Sequence, residues 1–273
     1  MRIPLYQIDA FAEGPFTGNP AAVCPLDSWL PDAVMQSIAA ENNLSETAFF
    51  VPEGEGYRLR WFTPTVEVDL CGHATLASAY VVFRWLKPRR NTVAFHTEKA
   101  GRLTVARDGD LLALDFPSRP PAPCAMPEGI AAALGKPPLA VLAARDYLAV
   151  YDRADDIAAL TPDFAAIAAL DRIAVIVTAP GPGAEAGGVD FVSRYFAPAA
   201  GVAEDPVTGS AHCTLIPYWA DRLGKDRLAA RQLSRRGGAL TCALHGASGG
   251  TPGDERVTIA GRALPYLEGM ITI

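Results

Sequence analysis

The strongest constraint on this chain is that it reads as one half written twice. Trp61-Phe62-Thr63-Pro64 leads to Cys71-Gly72-His73-Ala74-Thr75, and Tyr195-Phe196-Ala197-Pro198 leads to Asp205-Pro206-Val207-Thr208-Gly209-Ser210-Ala211-His212. Each stretch runs from an aromatic-Pro strand end, through acidic residues, into a Gly-x-Ala step that opens an apolar helix. The two Phe-x-Pro units lie 134 residues apart and the two Gly steps 137 apart in a chain of 273, which is half its length. A helix start carries unpaired N–H groups and partial positive charge, so it suits an anionic group. Two such starts in two similar halves predict a cleft between the lobes that grips a small acid from both sides.

With 50% hydrophobic and 20% charged residues the chain has the balance of a globular protein, and the repeat divides it into two lobes. The expected division is residues 1–118 and 119–261, with the last strand, about 262–273, free to return to the first lobe. A formal charge of −6 and the lack of a long Lys/Arg block argue against a nucleic-acid partner. Pro4 and Asp9 interrupt the N-terminal apolar run, and no later run reaches membrane-spanning length, so no membrane partner and a cytoplasmic location are expected. The five cysteines, Cys24, Cys71, Cys124, Cys213 and Cys242, form no CxxC pair, so neither a disulfide framework nor a structural zinc site is indicated.

Local patterning predicts strands at 5–11 and 47–51 flanking a helix that Pro31 opens and that reaches Asn42, with Val34, Ile38 and Ala39 inward. Further strands are expected at 57–62, 92–96, 103–107 and 111–116, with a helix from Gly72 to Leu86 that has no polar face and is therefore buried. Pro117 to Pro123, with four prolines in seven residues, reads as an extended connector. In the second half, helices are expected at 128–134, 155–170 and 209–223, with strands at 140–144, 147–151, 173–178, 189–196 and from 257 to 273. Pro180 to Gly188 reads as a surface loop.

Glu46 stands at a strand entrance between Leu44 and Ala48-Phe49-Phe50, a neighbourhood that suits a carboxyl group to proton transfer; the bland alternative is a surface turn residue. His73 follows the helix-opening Gly72, where the positive helix end favours a neutral ring. Asp205 precedes Gly209 by four residues, and Ser210 holds the place of His73 in the second copy; each has an ordinary reading, as a turn residue and a cap. Cys71 reads as a packed thiol or a thiolate base at a helix start. A Ser210-His212-Asp205 triad is crowded into eight residues and lacks a G-x-S-x-G elbow. A metal site from His73, His212, Cys71 and Cys213 rests on residue types alone, and no metal or cofactor is expected.

Leu44-Ser45-Glu46-Thr47-Ala48-Phe49, Phe62-Thr63-Pro64 with Glu67 to Thr75, and Glu204 to His212 resemble the signature blocks of the PhzF-like family, and Asp9-Ala10-Phe11 with Gly18-Asn19-Pro20 is similar too. The resemblance spans essentially the whole chain. It implies an α+β, diaminopimelate epimerase-like fold: two pseudo-symmetric lobes, each a barrel-like, mostly antiparallel sheet around a central helix. It also implies a cofactor-independent isomerase, commonly a homodimer, acting on a small carboxylic acid. Carried over, Glu46 is the proton-moving group, with His73, Asp205 and Ser210 as the assisting polar residues. Gly72, His73, Ala74, Gly209, Ser210, Ala211 and Asn19 would bind substrate. Epimerases of the wider superfamily use two facing cysteines, whereas here Asp205 stands near the second place, which argues against a two-thiol racemase. A catalytically silent protein that binds a small acid, or meets a protein partner, on the same fold is the competing reading.

Overall fold

The computed structural model describes residues 1–183, 188–246 and 255–273, so the loop expected over Pro180 to Gly188 lies partly outside the described residues. The chain divides into two compact units, Met1–Asp115 with Ala260–Ile273, and Phe116–Ile259.

The first unit is built from β1 (Arg2–Ala10), β2 (Asn19–Pro25), α1 (Asp32–Asn42), β3 (Glu46–Glu53), β4 (Gly56–Phe62), β5 (Glu67–Val68), α2 (Gly72–Val81), β6 (Thr92–His96), β7 (Arg102–Asp108) and β8 (Leu111–Pro117). A single π turn, Val82–Leu86, prolongs α2. The chain returns at the end, where its last strand, Ala263–Thr272, pairs antiparallel with β1. Neighbouring strands then alternate in sense: β1 and β2 are antiparallel, β2 and β3 parallel, β3 and β4 antiparallel, β4 and β6 parallel, β6 and β7 antiparallel.

This order wraps around α2, which packs against β1, β2, β3, β7 and the last strand. Every residue of α2 except Tyr80 is buried, as its lack of a polar face requires. Its hydroxyls are absorbed within the helix: Thr75 Oγ1 donates to the Cys71 carbonyl and Ser78 Oγ to that of Ala74. The outer face of the same strands is covered by α1. Met35, Ile38 and Ala39 pack there on Ala22, Cys24, Phe49, Val51 and Phe62, with Val34 only at the margin of the expected stripe. Strands covered on both faces lose the polar alternation of a half-exposed sheet, which is why β2 is apolar along nearly its whole length.

The second unit contains β9 (Ala122–Pro123), α3 (Ile130–Leu134), β10 (Ala140–Ala143), β11 (Tyr147–Val150), α4 (Ala154–Ala158), α5 (Phe164–Ala168), β12 (Val175–Pro180), β13 (Phe191–Phe196), α6 (Gly209–Leu223), β14 (Arg227–Gln232), β15 (Gly238–His245) and β16 (Arg256–Gly261). From β10 to β15 its pairings run antiparallel, parallel, antiparallel, parallel, antiparallel. That is the sequence of senses found from β1 to β7, so the duplication holds at the level of strand topology.

Two expectations need correction, and a third gains an anchor. The helix expected over 155–170 is two short helices, because Pro162 lacks a donor and the Asp163 side chain caps a new start by accepting from the Ala165 and Ala166 N–H groups. The connector from Pro117 to Pro123 is held: Arg119 N–H donates to the Cys213 carbonyl at 2.8 Å. That carbonyl is free because Pro217, four residues on inside α6, has no N–H to give it. Strands β14 and β15 were not expected, since alanine fills several of their alternating positions.

Candidate active site

The parity of β2 and β3 decides what faces α2. Phe49 and Val51 belong to the cluster under α1, so Glu46, an odd number of residues before each, projects to the opposite face, where α2 lies. The parallel register pairs Ala21 with Glu46, which places Asn19, two residues before Ala21, on that face as well. Gly18 makes the approach possible. It adopts φ +77°, and a Cβ there would lie 2.4 Å from the Ala10 carbonyl oxygen.

Glu46 Oε2 lies 3.0 Å from His73 Nε2, with the two side chains 14% and 5% exposed. Both atoms are out of contact with water, and neither forms an aligned hydrogen bond with any group among the described residues. The pair is therefore a buried ion contact at hydrogen-bonding distance. On the other edge of the ring, Nδ1 lies 3.1 Å from Asn19 Nδ2 and 3.4 Å from Cys71 Sγ. Ser45 Oγ donates to Asn19 Oδ1 at 3.1 Å.

Burial opposes charge on the His73 ring, but the Glu46 carboxylate beside it outweighs burial and lifts the ring's pKa well above the ordinary histidine value. This overturns the expectation of a neutral ring: at 3.0 Å the carboxylate dominates the diffuse field of the helix end. The Asn19 amide as oriented offers Nδ1 an N–H, which suits an uncharged ring. A charged ring would require the amide turned over, with Oδ1 accepting from Nδ1–H and Ser45 Oγ accepting from Nδ2. A hydroxyl both donates and accepts, so Asn19 and Ser45 serve either state. The ion contact favours the charged one. Burial, helped by Glu46, pushes the Cys71 thiol up to about 11, so Cys71 is protonated near neutral pH.

In the second unit, Asp205 and Thr208 form a polar knot before α6. Thr208 Oγ1 donates to Asp205 Oδ2 at 2.5 Å, and the Thr208 N–H donates to Gln232 Oε1 at 2.9 Å. Gln232 Nε2 returns a bond to the Asp205 carbonyl at 2.8 Å. His212 Nδ1 lies 2.8 Å from the Thr208 carbonyl, and burial drops the ring's pKa to about 4. Gly209, Ala211 and His212 are buried and Ser210 is partly exposed. Glu46, His73, Asn19, Gly72 and Ala74 thus gather in one unit, and Asp205, Gly209, Ser210 and Ala211 in the other.

Two supports went unread in the sequence. In β4, Arg60 forks onto Glu67 at 2.7 Å and reaches Asp32 at 2.8 Å. In β13, Arg194 forks onto Glu204 at 2.7 and 3.0 Å and donates to the carbonyls of Ile157 and Leu160. Each guanidinium also lies over the Phe two residues on, at 5.1 Å for Phe62 and 4.9 Å for Phe196. These clamps anchor the acidic loop that leads to each helix start. The two arginines are 134 residues apart and the two glutamates 137, the same offsets as the repeat, so the signal was available.

A family profile described as phenazine biosynthesis-like protein, PhzC-PhzF, matches residues 8–269. A Pseudomonas aeruginosa protein named as an uncharacterized isomerase is 53% identical over 271 residues, covering 99% of both chains. A second one from the same organism is 50% identical over 274 residues, covering 100% of each. Among solved structures, a phenazine biosynthesis protein of the PhzF family from Enterococcus faecalis superposes with a TM-score of 0.92 at 47% identity, covering 100% of each chain. A hydroxyproline epimerase from Agrobacterium vitis, at 13% identity and TM-score 0.60 over 99% of this chain and 92% of its own, shares the α+β fold.

Proposed function

We propose a reaction for this chain, which belongs to the phenazine biosynthesis-like family and is an isomerase: it moves a proton between two positions of a small unsaturated or cyclic carboxylic acid, with Glu46 as the carrier. The observation that carries this reading is the buried contact of Glu46 Oε2 and His73 Nε2, 3.0 Å apart with neither atom in an aligned hydrogen bond. A carboxylate and an imidazole held this close and out of water are placed to hand a proton between themselves and a bound substrate.

In this reading a C–H bond made acidic by the neighbouring unsaturated acid gives its proton to Glu46. The bonding pair moves into the conjugated system towards the carboxyl group. His73, charged, holds the Glu46 side chain in place and donates to the oxygen on which negative charge develops. The α2 start, Gly72-His73-Ala74, presents backbone N–H groups to the same charge, a contribution of about 3 kcal/mol for a well-placed donor. Glu46 then returns the proton to a different carbon, so the enzyme ends as it began and no electrons are gained or lost. Asp205 and Ser210 assist through the family resemblance, and the homodimer it implies is part of the same reading.

Proton NMR in D₂O with a panel of small unsaturated acids tests the assignment through incorporation of solvent deuterium. Glu46→Gln, folded by circular dichroism, is expected to slow exchange by about 10²–10⁴-fold, the range for general acid–base groups. Full exchange in that variant removes Glu46 from the chemistry. Saturable binding without exchange in the unaltered protein would instead mark a binder of small acids.

A further inference from the structure

We propose that Glu46, Cys71 and His73 form a zinc-binding site, and that Zn²⁺ bound there is an inhibitor of the isomerase. Their donor atoms all lie within 4.8 Å of one another. Glu46 Oε2 is 3.0 Å from His73 Nε2, while Cys71 Sγ is 3.4 Å from the other ring nitrogen, Nδ1, so the thiol has the farthest to move. Donors of a tetrahedral Zn²⁺ with bonds of about 2.0–2.3 Å stand about 3.5 Å apart, so the longest gap closes with side-chain movement on the order of 1 Å.

The donor chemistry selects the ion. A thiolate, an imidazole and a carboxylate suit borderline-soft Zn²⁺ and do not suit Mg²⁺ or Ca²⁺, which take oxygen ligands. A carboxylate and a thiolate together balance the ion's charge, while the thiol and ring protons leave to solvent as it enters. The buried Oε2 and Nε2 that lack aligned bonds are the atoms such an ion would satisfy. With Nε2 on the metal, Nδ1–H would need an acceptor, and Asn19, whose Nδ2 now faces Nδ1 and whose Oδ1 accepts from Ser45, would supply one only by turning its amide over.

The ion would occupy the two groups assigned to proton transfer. Inhibition therefore rests on the function proposed above, whereas binding does not. Cys71 contributes a ligand without a part in that chemistry, so Cys71→Ala separates the two.

The test uses the full chain stripped of metal by a chelator, with equilibrium dialysis against Zn²⁺ and, in parallel, absorption spectra with Co²⁺. The expected result is one Zn²⁺ per chain, a thiolate-to-Co²⁺ charge-transfer band, and loss of deuterium exchange that the chelator reverses. Cys71→Ala, with Cys71→Ser should the first not fold, is expected to keep exchange, lose the band and bind Zn²⁺ more weakly by at least the roughly 10–100-fold that outer-support changes cost. No binding, or equal affinity and an unchanged spectrum in both Cys71 variants, overturns the site. Zinc binding as expected alongside normal exchange by Glu46→Gln would leave the site standing and refute the function.

Discussion

Removing the Arg194 guanidinium should destabilise the protein far more than removing its counterpart Arg60, although the two make the same fork in the same place of the repeat. Arg194→Met strips a side chain 10% exposed from Glu204, which is 21% exposed. It also leaves the Ile157 and Leu160 carbonyls, bonded at 2.9 and 3.0 Å, without their donor. Breaking a buried pair by deleting one partner costs about 3–5 kcal/mol, and the residual exposure of Glu204 argues for the lower end, about 3 kcal/mol. Arg60 is 17% exposed, but its partners Asp32 and Glu67 are 75% and 39% exposed, so water compensates them when it is lost. Exposed pairs contribute about 0–1 kcal/mol, and Arg60→Met should stay within that range. Urea denaturation followed by circular dichroism gives both numbers, provided the slope is unchanged. The double change Arg194→Met with Glu204→Leu should recover part of the loss, because it removes the orphaned charge but leaves the Ile157 and Leu160 carbonyls without their donor. Equal losses for the two arginines, or a double variant no better than the single, would refute the reasoning from burial.

Two further outcomes follow from the polar groups around α6. His212 is buried with its pKa at about 4, below the 6.5 of an unfolded chain, so unfolded chains bind the extra proton as pH falls from 6.5 to 4 and folding loses about 3 kcal/mol over that window. His212→Asn, which keeps an N–H for the Thr208 carbonyl, should flatten this acid limb in urea midpoints measured from pH 7 to 4, and identical limbs would contradict it. Gln232→Leu leaves the Thr208 N–H and the Asp205 carbonyl unpaired. It should cost about 2 kcal/mol of stability and raise KM or lower kcat in the deuterium-exchange assay, whereas an unchanged midpoint would show the knot to be dispensable.

What could be read in advance was whatever depends on neighbours in sequence. The buried helices α2 and α6 were legible from their unbroken apolar composition, and Gly224 stops α6 with φ +64° as a left-handed cap should. Glu46 was legible as a strand entrance. That it meets His73 was not, because the meeting depends on the parallel register of β2 and β3 and on the parity that puts Phe49 and Val51 under α1. The charge state of His73 failed for the same reason: a helix-end argument uses only local sequence, while the carboxylate that overrides it comes from 27 residues earlier in the chain. Gln232 escaped notice because its polar group is spent wholly on a loop 24 residues away, which no pattern within β14 encodes.

The two halves share clamps, strand senses and helix starts, yet their polar atoms are left in different conditions. Where β3 opens with Glu46, the strand in the same place of the second unit, β12, opens with Val175 after Ala174, both fully buried. The second helix start spends its donors and acceptors on itself, through Thr208, Asp205 and Gln232. Its one unbonded buried ring atom, His212 Nε2, belongs to an imidazole that burial keeps neutral, and a neutral acceptor out of water is a modest cost. The first start holds a carboxylate and an imidazole in buried ion contact, whose desolvation is the larger cost. A duplicated scaffold supplies two helix ends without further selection. A buried Glu46–His73 pair in only one of them has to be maintained, and the copy that maintains it is where the chemistry is expected.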